Sequence, residues 1–310
     1  MKQTIVYIGI DASQSSFGCG WQNRFHRFDN DKAGRVTLVR WIKQKQSGPV
    51  QVICEAGGGY EQDLLDALAE ADLAVSLVQA TRVRQYARAA GTLAKTDKVD
   101  ARVLARFGAA MRPEPTSPRS AAQKLLRELE SQRRDLSDLL VAEQNRLEQL
   151  HDEKLRGLAR ALMGTIKKQI ARIDARITTL IMQDQELCQK AQKLTSVKGV
   201  GERTAALLLA QMPELGTLNR REAAALAGLA PFNRDSGTMR GKRTIFAGRR
   251  AVRRGLYMAA LVASRRNPIL SNFYRRLRTK DKPHKVALTA VMRKLLLALN
   301  QALTPTQSFA

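Results

Sequence analysis

The hydrophobic rhythm of this chain changes once, at Arg112-Pro113-Glu114-Pro115-Thr116-Ser117-Pro118. Before that segment, short β-branched runs alternate with helical stretches. Beyond it, leucines and isoleucines recur every three or four residues. Proline has no N–H to donate and drives the residue before it out of the helical region, so three prolines in seven residues predict a linker, 112–118. The chain therefore reads as an α/β domain, 1–111, followed by all-α sequence. Its 310 residues suit roughly two domains of about 150 each.

In the first part, residues 3–10 read as a strand, with two more short strands near 16–21 and 24–28. A helix follows over 31–46, then a strand over 50–54 and a helix over 61–71. A strand over 74–78 and helices over 81–90 and 97–111 complete the region. The order β β β α β α β α, with hairpin strands first, predicts a mixed sheet. The ribonuclease-H-like arrangement is one of the folds that fit.

Residues 119–193 keep a helical rhythm with charged outer faces, which predicts one long helical hairpin or coiled coil, with its turn at Gly157 or Gly164. Such a hairpin is either a spacer or a self-association surface for a dimer or tetramer, because a narrow apolar seam wants a partner helix. The third region, 194–310, opens with Val197-Lys198-Gly199-Val200-Gly201 ahead of a helix, a helix-hairpin-helix-like turn. Its backbone N–H groups can hold a phosphate, or it is an ordinary turn between helices. It also matches a loose dinucleotide glycine pattern, but no strand precedes it, and no Gly-Lys-Ser/Thr makes it a P-loop. Helices are expected over 249–264, 269–278 and 283–302.

Charge narrows the function. The chain holds 53 Lys and Arg against 28 Asp and Glu, a net +25. Residues 1–110 and 111–193 each contribute only +4, whereas residues 194–310, with 22 basic and 5 acidic residues, contribute +17. That excess argues against a neutral metabolic enzyme and for a polyanionic partner. Aromatic residues are only 5%, so backbone gripping is favoured over base-stacking platforms. The candidate nucleic-acid contacts are Lys198, Gly199, Gly201, Arg234, Arg240, Lys242, Arg243, Arg249, Arg250, Arg253 and Arg254. Three scattered Cys and three scattered His predict neither a zinc site nor a disulfide framework. The apolar run at 5–10 is too short for a signal-peptide core, and no stretch approaches about 18 apolar residues, so a cytoplasmic protein with no membrane association is expected.

Four acids stand out by position. Asp11 ends the first strand, in Ile-Gly-Ile-Asp. Glu55 ends the fourth, in Val-Ile-Cys-Glu. Asp97 and Asp100 open a helix, and their i, i+3 spacing puts them on one face. In a sheet of this order the ends of the first and fourth strands can lie side by side under that helix. Four converging carboxylates are stable only with cations among them, and hard oxygens select Mg²⁺ or Mn²⁺. Two such ions can support phosphoryl transfer. Taken singly, Asp97 also suits a helix cap and Glu55 a turn.

These residues resemble a known family. Ile-Gly-Ile-Asp, Glu55-Ala-Gly-Gly-Gly-Tyr60 and Lys95-Thr-Asp-x-x-Asp-Ala101 are similar to motifs of the DEDD transposases of bacterial insertion sequences, the IS110 type, with Piv-like invertases as relatives. Gly228-Leu-Ala-Pro, Asp235-Ser-Gly and Gly248-Arg-Arg-x-x-Arg-Arg are similar to that family's second domain. Gly57 is a departure, since the family more often has Ala-Thr-Gly around the glutamate; it removes a side chain but no ligand.

The resemblance implies a RuvC-like, ribonuclease-H-fold domain with a metal tetrad at Asp11, Glu55, Asp97 and Asp100. It implies a helical C-terminal transposase domain with a serine nucleophile at Ser236. Members recombine DNA, joining an element's ends to a target, and some are guided by a structured non-coding bridge RNA. The resemblance thus implies DNA and a guide RNA as partners, in a bacterial, nucleoid-associated setting.

Read from its residues alone, Ser236 between Asp235 and Gly237 is most often a turn residue. Its surroundings, Arg234, Arg240, Lys242 and Arg243, suit a scissile phosphate, and a hydroxyl there is a nucleophile if some group takes its proton. Two other readings fit: a metal-dependent hydrolytic nuclease or junction resolvase, in which Ser236 has no role, and a non-catalytic nucleic-acid-binding protein.

Overall fold

The computed structural model describes residues 5–22, 24–44, 48–57, 59–233, 235–241 and 243–304. They form two compact units, Met1–Pro118 and Arg119–Ala310. Among the described residues the chain is mixed α/β and mostly helical, with one five-stranded sheet and twelve helices.

The sheet of the first unit has the order β3-β2-β1-β4-β5. Strands β1 (Val6–Ala12), β2 (Ser16–Trp21) and β3 (Arg24–Asp29) form an antiparallel meander, while β4 (Val50–Ala56) and β5 (Ala74–Gln79) run parallel to β1. Side chains alternate across the sheet. Ile8, Ile10, Val52 and Cys54 point to one face and are buried with Leu38 and Ile42 of α1 (Lys32–Gln44) and Leu64 and Leu68 of α2 (Gln62–Glu70). The opposite face, with Tyr7 and Ile53, packs on α3 (Ala80–Ala89) and α4 (Asp97–Met111).

Helix α4 lies unusually close to that face. A Cβ on Gly9 of β1 would stand 2.0 Å from the carbonyl oxygen of Ala101, and one on Gly20 of β2 would stand 2.5 Å from that residue's carbonyl carbon. Glycine is required at both positions for the helix to seat. The proline-rich segment is not a free linker. Thr116 donates its N–H to Val75 O at 2.7 Å and accepts from Leu77 N at 2.9 Å, and Ser76 donates to Glu114 O at 2.8 Å. The segment straps the outer edge of β5, which would otherwise present unpaired backbone groups.

The second unit begins with the helical pair α5 (Ala121–Gln149) and α6 (Glu153–Gln183). Their turn falls at Leu150–Asp152, not at Gly157 or Gly164, which are both inside α6. Asp152 fixes the turn by accepting from Leu155 N at 2.8 Å, an N-cap worth about 1 kcal/mol. The hairpin segment also holds a third helix, α7 (Gln185–Thr195), because Asp184 ends α6 and caps α7 through Leu187 N at 2.9 Å.

Helices α8 (Glu202–Gln211), α9 (Arg220–Leu226), α10 (Arg250–Arg266), α11 (Pro268–Arg278) and α12 (His284–Leu303) complete the unit. It is not all-α: β6 (Pro231–Phe232) and β7 (Thr244–Ile245) pair as a short antiparallel ribbon. Helix α12 is long and apolar enough to cross a membrane by length and composition, contrary to the sequence expectation. Its apolar stripe, Leu288, Val291, Leu295 and Leu299, is buried in this unit's core. Asn300 is buried at 8% exposure, accepting from Gly216 N at 2.9 Å and donating to Leu218 O at 2.8 Å. Glu130, also buried, is paired with the guanidinium of Arg203.

Candidate active site

The parallel pairing of β1 with β4 matches Ile10 to Cys54, so Asp11 and Glu55 are the next residues along the two strands. Alternation turns both toward the face that carries α4. Because Gly9 and Gly20 let α4 sit against the sheet, its first turn overlies the ends of β1 and β2. The Asp97 Cβ would lie 3.6 Å from a Cβ on Gly18, the residue paired with Asp11. The cap of α4 is Thr96, which accepts from Val99 N at 3.3 Å, so neither aspartate is needed as the N-cap. Nor does Glu55 hold the glycine turn after β4. Buried Glu61 does so, accepting from Gly59 N at 3.1 Å.

Asp11, Glu55 and Asp100 line one open cavity of about 350 Å³, together with Thr81, Arg84, Lys95 and Val103. Burial raises the pKa of all three carboxyls. Asp100 and Asp97 push Asp11 further up, Asp11 and Asp100 push Glu55 further up, and Lys95 opposes the rise in each. Half-buried carboxylates that oppose one another's ionisation are a donor set a hard divalent cation would relieve. Asp97 stands apart, its Oδ2 accepting from Arg27 Nη2 on β3 at 2.5 Å. With the side chains so placed, no three His, Cys, Asp or Glu among the described residues are grouped closely enough to hold a metal ion. Buried Cys19 and Cys54 are not candidates, since burial pushes both thiols well up and keeps them neutral.

Sequence reasoning missed Lys95, Arg84 and Arg27. Lys95 had a signal, its place in the Lys-Thr-Asp motif. Arg84 had none: it donates to Leu93 O at 2.8 Å and so holds the loop that carries Lys95.

In the second unit, Ser236 sits in the turn beyond β6. It exchanges backbone hydrogen bonds with Met239, both at 3.0 Å, and Gly237 has φ +56°. Asp235 accepts from Gly241 N at 3.1 Å. Ser236, Arg240 and Arg243 are exposed; Arg234 and Lys242 lie outside the described residues. The other candidate contacts divide. Lys198 and Arg250 are exposed. Gly201 caps α8, with open space where a side chain would be. Gly199, at φ +105°, is required by packing, since its Cβ would stand 2.6 Å from that of Ala263. Arg249 is engaged by Glu214 at 2.7 Å and by Gln211 O at 2.8 Å. Arg253 donates to Ala247 O at 2.7 Å, and Arg254 pairs with Asp138 at 2.9 Å.

A transposase family model matches residues 8–154, and the model of the transposase IS116/IS110/IS902 family matches residues 191–275. Over 310 residues, the chain is 31% identical to the pilin gene-inverting protein of Moraxella lacunata, covering 94% of this chain and 93% of that one. The chain belongs to the IS110 family of transposases. It shows the same identity and coverage against the pilin gene-inverting protein of Moraxella bovis. It is also 32% identical, over 140 residues, to an insertion element IS110 protein of 43.6 kDa from Streptomyces coelicolor, covering 44% of this chain and 33% of that one. All four acids of this transposase fall in the first matched region, and Ser236 falls in the second. It is thus a DNA recombination enzyme of the insertion-sequence type.

Proposed function

We propose that this transposase breaks and rejoins DNA strands with a divalent cation held by Asp11, Glu55, Asp97 and Asp100 and with Ser236 as nucleophile. The observation that carries the metal half is the shared cavity of Asp11, Glu55 and Asp100, whose carboxyls burial and neighbouring carboxylates raise above their ordinary pKa. A meander followed by two parallel strands, β3-β2-β1-β4-β5, supports a RuvC-like, ribonuclease-H-type reading of the first unit. Mg²⁺ or Mn²⁺ bound there would stabilise charge on a transferring phosphate. The protein's own part is to hold the carboxylates at two strand ends and a helix start. Lys95 offsets their repulsion, and Asp97 would have to leave Arg27 to join a bound cation.

Ser236 is presented at an exposed turn beside Arg240 and Arg243, which suits an extended phosphate backbone. Its Oγ forms a bond to phosphorus, its proton passes to a base, and the sugar oxygen leaves as a hydroxyl. The resulting phosphoserine–DNA link conserves the phosphodiester for rejoining. The exposed Leu155, Leu158 and Leu162, on one stripe of α6, support homo-oligomer formation through the helical pair. A structured guide RNA as a further partner rests on the family resemblance alone.

The test compares wild type, Ser236→Ala and Asp11→Ala on DNA carrying an element junction. Wild type should form a denaturant-stable protein–DNA adduct and Ser236→Ala none. An adduct surviving in Ser236→Ala, or normal strand joining without one, would overturn the nucleophile. Unchanged cleavage by Asp11→Ala would overturn the metal site. Cleavage by Ser236→Ala to hydrolysed ends would favour a hydrolytic nuclease. RNA recovered with the purified protein, and loss of activity on ribonuclease treatment, test the guide.

A further inference from the structure

Helices α11 and α12 form a second basic site, distinct in residues from the surroundings of Ser236. Residues 265–294 hold ten Lys and Arg against one acid, Asp281. Among the described residues, none of those ten has a carboxylate partner in a salt bridge. Within this stretch Ile269, Asn272, Phe273 and Arg276 follow helical spacing along one side of α11 and, with Lys294 of α12, line an open cavity of about 330 Å³. Ile269 is 69% exposed.

Phe273 organises the site. Arg276 Cζ lies 5.5 Å and Lys294 Nζ 4.8 Å from its ring centroid. A ring quadrupole orients a cation without neutralising it. Both charges are therefore held in place while remaining available to an anion, unlike Arg249, which Glu214 engages. The oxygen of Asn272 accepts from Arg275 at 3.1 Å, which turns the amide's donor group to the other side.

An apolar floor beside two unneutralised cations and an amide matches the make-up of one nucleotide, with base and sugar on the floor and phosphate on the cations. A paired duplex hides its base faces and offers only phosphate. We infer that the α11–α12 cavity binds a single unpaired nucleotide, with Ile269 and Phe273 contacting its base or sugar and Arg276 and Lys294 its phosphate. This goes beyond the chemistry proposed for Ser236 and the carboxylates. It rests only on the chain's handling of nucleic acid.

The test measures binding of the full chain, with divalent ions chelated, to a 20-nucleotide single strand and to the blunt duplex of the same sequence. DNA and RNA single strands are run side by side. Phe273→Leu keeps the apolar volume that packs against the core and removes the ring. Ile269→Ser changes a side chain that is 69% exposed and has little packing to lose. Phe273→Leu should weaken single-strand binding about tenfold, the size of one base–aromatic contact, Ile269→Ser should weaken it by less, and each should leave duplex binding within about twofold. Arg276→Gln and Lys294→Gln should weaken both ligands and each lower the salt slope on the single strand by about 0.7. A loss on either DNA or RNA supports the inference, and the polymer that loses more names the source.

Unchanged single-strand binding in both Phe273→Leu and Ile269→Ser overturns the inference, as does an equal loss on duplex and single strand. Those results leave the transposase reading intact. A wild-type chain that binds neither ligand also overturns the inference and leaves the family assignment standing.

Discussion

Gly9 on β1 and Ala101 on α4 approach so closely that a Cβ on the glycine would stand 2.0 Å from the alanine carbonyl oxygen. That oxygen is helix backbone, so a methyl group there displaces α4 as a body. The first turn of that helix carries Asp97 and Asp100, so Gly9 sets how near those acids come to Asp11.

Gly9→Ala is accordingly expected to lower stability by about 1–3 kcal/mol, as overpacking of a tight contact does, and to reduce strand cleavage. Gly57→Ala is the control. Its Cβ would have ordinary contact, 3.6 Å from Glu61 Oε2, so stability should change by less than about 0.5 kcal/mol. Urea unfolding of the two variants, followed by circular dichroism, separates them.

The carboxyl cluster predicts an unusual pH dependence. Asp11, Glu55 and Asp100 have pKa values raised by folding, so the folded state holds their protons more tightly than the unfolded state does. Without divalent ions, stability should therefore fall as pH rises from the ordinary values of 3.8 and 4.5 through the raised ones. Saturating Mg²⁺ should flatten that dependence. Asp11→Asn should raise metal-free stability by about 1 kcal/mol while abolishing cleavage. Thermal melts of wild type and Asp11→Asn between pH 4 and 8, with and without Mg²⁺, read this directly; a metal-free pH dependence identical in the two proteins contradicts it.

In the proposed metal site, the Arg27–Asp97 pair would compete with a cation for Asp97. Both side chains are more than half exposed, so the pair contributes about 1 kcal/mol or less. Arg27→Gln should therefore lower the Mg²⁺ concentration for half-maximal cleavage by no more than about fivefold. A requirement for more Mg²⁺ would show that Arg27 supports the site.

Glu130 in the second unit is 1% exposed and held by Arg203 from α8. Removing only the cation strands a buried charge, so Arg203→Met should cost about 3–5 kcal/mol. Arg203→Met with Glu130→Leu should recover most of it. A double-mutant cycle on chemical denaturation gives the coupling.

Local text carried much of this. The β-branched run ending in Ile-Gly-Ile-Asp marked β1, and Val-Ile-Cys-Glu marked β4, because strand propensity and alternation act over a few residues. The same reasoning misplaced the hairpin turn. Glycine is tolerated inside a long helix, so Gly157 and Gly164 were weaker signals than the capping side chain of Asp152. It also missed the β6–β7 ribbon, whose strands are two residues each and have no periodicity to detect.

The sequence by itself determined which acids end strands and open a helix, that the basic excess lies in the last third, and that the chain matches one transposase family. Only the tertiary structure decided which of those groups meet. Asp11 and Glu55 become neighbours through a parallel pairing between strands 44 residues apart. Asp97 is engaged by an arginine 70 residues away, and Arg249 by Glu214 across 35. Register and helix seating come from the packing of whole elements, here from glycines that admit α4 to the sheet, and no local pattern encodes which charged side chains end up in contact.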